Sequence, residues 1–408
     1  PGEAGTSGGA AVANASAPAD ANNEAFAVGG AGGNGAVGTT GSGQVAGGKG
    51  GNGGDGGNAS ASATSVQSGG PAVASANATS GRGGDGGAGN GDSHGGNAGT
   101  AHATALASAS GPFDARAAAD AQATGRDGGR SHGDSARGAQ GGTGSAHAQS
   151  STRETQAGSL AQASVRGGAG GEGWSGSVGG DGANVSDVKA YAEADSGNTG
   201  AIATAIAGRG GAALGNASGG RGGHAALTNA VGGSSAGNLS LTQTAVAGRG
   251  GHSQQGIAGA GGTAESKLDS GMHSGTQLFL ESASTGGSGG STDSGIAGRG
   301  GNSRSHASAT SNGLLSITSQ AVAGDGGRVF GSASDVVPGV SGGHAHATAQ
   351  GAAVGGVSAG ITGRGGLGGT ALGTGQRGGD GGTVALFASA ESDTGNVSLS
   401  ATAYGGKG

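Results

Sequence analysis

Cysteine is absent from this 408-residue chain, so no disulfide can staple it and neither an oxidising nor a reducing compartment is required. Aromatic residues make up only 2%, which excludes a conventional core of large side chains. Charged residues are 11% and the net charge is −6, so self-repulsion does not hold the chain open as it does in disordered segments. The slightly acidic balance argues against a nucleic-acid partner. No stretch approaches the roughly 20 apolar residues of a membrane-spanning helix. A signal peptide is not visible, and a start at Pro1 is compatible with removal of a leader.

What the chain has instead is glycine, 108 of 408 residues, and a period. Anchoring on the box Gly248-Arg249-Gly250-Gly251 finds the same pattern beginning at Gly208, Gly287, Gly324 and Gly363, and truncated at Gly406. The spacing is roughly 40 residues, in the range of stacked arrays rather than of one globular core. Superposing the boxes places Leu239, Leu278, Leu315, Val354 and Val397 in one column. Leu241, Leu280, Ile317 and Leu399, with Ala201 and Gly356, form a second. Ile206, Val246, Val322, Ile361 and Tyr404, with Thr285, form a third.

Each segment alternates with period two, as in Val397, Leu399, Ala401 and Ala403 against Ser398, Ser400, Thr402 and Tyr404, which puts alternate side chains on opposite faces of a strand. An earlier strand in each unit follows a Gly-Gly pair, as in 344–349 and 306–311. The links between strands carry turn chemistry: Ser311-Asn312-Gly313-Leu314, Asp393-Thr394-Gly395-Asn396 and Asp195-Ser196-Gly197-Asn198. An Asn-Gly turn favours an antiparallel hairpin, whereas the matched columns suit a solenoid equally well. Glycine at this density opposes helix. The expected fold is all-β: an elongated repeat array, β-solenoid-like or of stacked hairpins, with glycine-rich extended segments between strands. Residues 1–68 fit the period least and are read as an N-terminal cap or assembly segment; residues 69–408 form the array.

Candidate chemistry is sparse. The nucleophile-elbow pattern GxSxG occurs at 5–9, 233–237 and 356–360, but it needs a strand-to-helix turn that this chain does not supply. Near Lys49 a phosphate-loop pattern fails, because Gly50 stands where a magnesium-binding hydroxyl is needed. Calcium is the one cofactor with a partial signal: Gly179–Asp187 approaches a calcium-binding β-roll repeat, with Asn184 in an aspartate position. Asp55, Asp85 and Asp380 sit at the wrong place for that motif and read as solvated turn residues. His344 and His346 share a strand face at a spacing compatible with zinc or copper, but His102, His224 and His306 lack such a neighbour. Arg82, Arg209, Arg249, Arg299 and Arg364 all sit in GRGG boxes. Stacked, they would make a positive row suited to an acidic polysaccharide, or to blocking edge-to-edge aggregation. Asn-x-Ser/Thr sequons such as Asn77, Asn216, Asn238 and Asn396 follow from composition.

The triplet runs Gly29-Gly30-Ala31-Gly32-Gly33-Asn34-Gly35 and 47–57 resemble the glycine-rich regions of mycobacterial PGRS-type surface proteins. They are similar also to the polyglycine-II bundles of phage tail adhesins and springtail antifreeze proteins. The likeness covers the glycine stretches only. It implies a surface-exposed, glycine-packed scaffold and assigns no site residue.

These readings converge on a non-enzymatic structural subunit of an extracellular or cell-surface filament, sheath or matrix, polymerising through end-to-end contacts. No catalytic, cofactor-binding or metal residue is assigned. The alternative is an adhesin or an ice binder. Ice binding calls for threonine ladders, of which Thr242 and Thr244 are one pair, and an adhesin calls for aromatic-rich tips, where Trp174 stands alone.

Overall fold

A computed structural model describes residues 1–17, 20–39, 47–111, 115–153, 157–331 and 337–408. Among these residues there are 23 strands and no helix, in parallel sheets of ten, six, five and two strands. Consecutive strands enter different sheets, and within each large sheet the strands follow chain order. The ten-stranded sheet runs from Asn22–Val28 to Val397–Tyr404. The opposing layer is the six-stranded sheet, from Ala11–Ser16 to Val231–Ser234, continued by the five-stranded sheet, from Ala225–Thr228 to Val384–Ser392. Strands on both sides of residue 68 belong to the same sheets.

The Asn312-Gly313 link therefore does not close a hairpin. Ser303–Ser311 and Leu314–Val322 lie in opposite layers, and neither Asn312 nor Gly313 takes the positive φ that a type I′ turn requires. The link is a corner. Glycine is needed at 313 because a side chain there would run into the Thr276 carbonyl.

Parallel partners lie in register. Leu239 neighbours Leu278, then Leu315, then Val357 and Val397; Leu241 leads through Leu280 and Ile317 to Ala359 and Leu399. The columns expected to contain Val354, Gly356 and Ile361 contain Val357, Ala359 and Arg364 instead. The cause is local: Gly363-Arg-Gly-Gly-Leu-Gly-Gly holds two overlapping boxes, and the stacked one begins at Gly366, whose N–H donates to the Gly343 carbonyl. Ile361 thereby moves to the buried face.

The space between the layers is filled mostly by alanine methyls. Ala59, Ala61 and Ala63 face Ala72, Ala74 and Ala76, all essentially inaccessible. Larger buried groups include Val165 and Val188 and then, further along, Leu227, Leu239, Leu241, Leu268, Leu278, Leu280, Leu315, Ile317, Val357 and Ile361. Each buried methyl contributes only about 0.8 kcal/mol, against about 1–2 kcal/mol of backbone entropy per ordered residue. Saturated backbone pairing must supply much of the difference.

Beyond the strands, the glycine segments form two further layers bonded with a three-residue period. Gly2, Gly5 and Gly8 donate to the carbonyls of Lys49, Asn52 and Asp55 at 2.6–2.7 Å. Between layers, Gly33 donates to Thr6 (2.7 Å), Gly54 to Gly33 (2.8 Å) and Gly84 to Gly54 (2.8 Å). Backbone approaches backbone here with no room for a side chain: a Cβ on Gly54 would strike the Thr6 carbonyl, and one on Gly84 the Gly33 carbonyl. In the strand half, methyls separate the layers. In the glycine half, hydrogen bonds join them directly.

Candidate functional site

In each glycine triplet the third residue carries the side chain, and its own N–H points away from the interlayer bonds. Side chains of the neighbouring pass satisfy many of these donors. Asp55 Oδ1 accepts from the Asn97 N–H (2.7 Å), Asp85 from Arg130 (2.9 Å), Asp181 from Arg221 (2.8 Å) and Asn184 from His224 (2.7 Å). Asp55 and Asp85, expected to be merely solvated, are backbone caps. Asp181 and Asn184, the residues behind the calcium reading, each cap a different N–H, and among the described residues no group of three His, Cys, Asp or Glu is placed to hold a metal.

Histidine plays the same part. His224 Nδ1 accepts from the Thr263 N–H (3.0 Å) and His344 Nδ1 from the Thr383 N–H (3.1 Å). His344 precedes the strand Ala345–Ala353 and its Nδ1 is engaged by Thr383, whereas His346 lies within the strand beside Arg304. His306 Nε2 meets Asp269 at 2.8 Å, and Lys267 Nζ meets the same carboxylate at 2.8 Å. Partial burial works to raise the Asp269 carboxyl; hydrogen bonds and charge from Lys267 and His306 outweigh it and hold the group below the ordinary aspartate value.

The arginines do not form one row. Arg209 and Arg249 are adjacent, as Gly210 donates to the Arg249 carbonyl. Arg82 shares their column but is separated from them by Asp127 and Ala169; Arg299 belongs to another glycine layer, and Arg364 lies beside Tyr404 in the ten-stranded sheet. Of the five, Arg82 pairs with an acid, Asp85 (3.2 Å). Box position alone did not determine stacking position.

Threonine ladders on the ten-stranded sheet are broken. Thr204 and Thr244 adjoin, Ala283 and Gln320 follow, and then come Thr362 and Thr402. Trp174 is not isolated in space: its Nε1–H donates to Glu172 (3.1 Å), the Arg130 guanidinium lies 5.4 Å from the ring centre, and His132 is 5.9 Å away. Of the GxSxG serines, the Ser235 hydroxyl donates to the Gly197 carbonyl (3.1 Å), and Ser358 is the second residue of the strand Val357–Arg364. Neither has an elbow geometry.

The most distinctive feature is one that sequence reasoning missed. At Asn229, with φ of 45°, the opposing layer breaks. Ala225–Thr228 pairs forward with Ala264–Lys267, while Val231–Ser234 pairs backward with Ala190–Glu193. The step is held by a fully buried amide: Gln243 Oε1 accepts the Ala230 N–H (3.1 Å) and Nε2 donates to Ser266 (3.0 Å). Ser266, Ser282, Ser305 and Ser319 continue this polar thread through the core, with every hydroxyl bonded. The available signal was Gln243 itself, a polar residue at an inward position between Leu241 and Ala245.

Beside the step lies a groove of about 480 Å³. One wall carries His147 and Lys189, the other Gln149, Leu106 and Tyr191. His147 is bonded to Asp187 (2.8 Å), while Lys189 makes no ion pair among the described residues. No helix among the described residues is long and apolar enough to cross a membrane. Comparison with known protein families, with curated proteins and with solved structures finds no match.

Proposed function

We propose that the chain is a structural, self-assembling subunit of an extracellular filament, sheath or matrix, built as a β-solenoid whose glycine segments run as polyglycine-II-type layers. Stacking is backbone to backbone at every level, so each pass of chain is a template for the next. The observation carrying this reading is the edge formed by Val384–Ser392 and Val397–Tyr404. These strands bond to one neighbour each, and their Val397 and Leu399 side chains, whose column is buried elsewhere, are 46% and 52% exposed. A further pass, from another copy, would bury them. Residues 1–68 would present the complementary edge, with Ala11–Ser16 paired on one side only.

The proposal assigns the chain no enzymatic role. Electron microscopy of the purified chain tests the assembly: uniform fibres are expected, and replacing Leu399 and Ala401 with lysine should abolish them without loss of folded signal. Rods that stay single at all concentrations would refute it.

A further inference from the structure

We infer that the groove at the Asn229 step is a binding site for an anionic oligosaccharide, a short run of uronic-acid-type sugars. The GRGG arginines do not line up in one row, whereas the groove sets a cation, Lys189, close to an exposed aromatic side chain, Tyr191.

Two outward columns border it. Thr104, His147 and Lys189 lie side by side on successive strands, and so do Leu106, Gln149, Tyr191 and Gly232. Adjacent strands are spaced by about 4.8 Å, close to the length of one pyranose ring, so a linear sugar chain running across the strands would meet one residue pair per ring. Tyr191 is 41% exposed, and Gly232 next to it adds no side chain, which leaves the column open at the step. A sugar ring has an apolar face that stacks on an aromatic and equatorial hydroxyls that need hydrogen-bond partners. Tyr191 and Leu106 supply the first, and Gln149 and Thr104 the second. His147 is oriented by Asp187. Lys189 supplies a cation for a sugar carboxylate.

The step is a built feature. Opening the sheet frees the Ala230 N–H inside the core, and Gln243, wholly buried, accepts it. An unbroken strand at 225–234 would leave no groove and give that amide nothing to do.

The test is calorimetric titration of the folded chain with tetragalacturonate, with cellotetraose as the neutral comparison and tetraglutamate as the acidic peptide. Tetragalacturonate is expected to bind at least tenfold more tightly than either. Tyr191→Ala should weaken it at least tenfold. Lys189→Gln should weaken it by a similar factor and flatten its salt dependence, while Tyr404→Ala leaves it unchanged. Circular dichroism confirms that each variant is folded. Absence of binding, equal affinity for tetraglutamate, or insensitivity to both groove variants overturns the inference.

Discussion

Placing one methyl in a glycine layer should cost far more than placing it on the surface. Gly251 donates its N–H to Gly220 (2.8 Å), and its carbonyl accepts from Gly259 (2.9 Å). A Cβ at 251 would strike the Gly211 carbonyl, which already accepts from Gly220 (2.9 Å). The segment can relieve that clash only by moving away, which loosens all three bonds. Three bonds at about 1 kcal/mol each, with about 1–3 kcal/mol for overpacking and a return of about 0.4–1 kcal/mol from a stiffer unfolded chain, give a net loss of about 3–6 kcal/mol. Gly70 is the control, because nothing lies within 4 Å of a methyl added there. Gly70→Ala should be neutral or stabilise by up to about 1 kcal/mol. Urea denaturation followed by circular dichroism reads both. If the two variants differ by less than about 0.5 kcal/mol, glycine is not required for close packing and the reasoning fails.

Other consequences follow from the same geometry. Gln243→Leu should destabilise by about 1–3 kcal/mol, because the Ala230 N–H is left buried without an acceptor; the same denaturation assay measures it. Asn302→Ala removes the acceptor for the His344 N–H and should cost about 0.5–1 kcal/mol, while Asn302→Asp keeps it; hydrogen exchange at His344 separates the two. Because the folded Asp269 carboxyl titrates below its unfolded value, its stabilising effect is present above the unfolded pKa and is lost as pH falls through the folded one. Asp269→Asn should remove that acid-side component from a stability–pH profile, and an unchanged profile would count against the Lys267–Asp269–His306 arrangement.

Strand positions and the inward face were legible because alternation with period two is a local property. Val397, Leu399, Ala401 and Ala403 read directly as one face. Pairing direction was not legible: Asn312-Gly313 serves a corner as well as a hairpin, and only the partner strand decides between them. The glycine triplets announced a three-residue period but not which pass each run bonds, so the GRGG arginines could not be assigned to columns. Asp55 and Asp85 looked solvated because the N–H groups they accept, those of Asn97 and Arg130, lie about one repeat later in the chain. The step at Asn229 was illegible for a similar reason, since its cause is a change of partner between two halves of one strand.

Hydrogen exchange resolved to single amides tests the central claim, that backbone bonding orders the glycine segments as firmly as the strands. Gly84 and Gly87, which donate to Gly54 and Gly51, should exchange as slowly as strand amides such as that of Ala76. Arg82, whose N–H finds no acceptor among the described residues, should exchange fast, whereas the N–H of Asp85, one triplet later, is held by Asn34 Oδ1 (2.9 Å) and should be protected. Uniformly fast exchange through 80–88 would mean a flexible linker and would contradict the account.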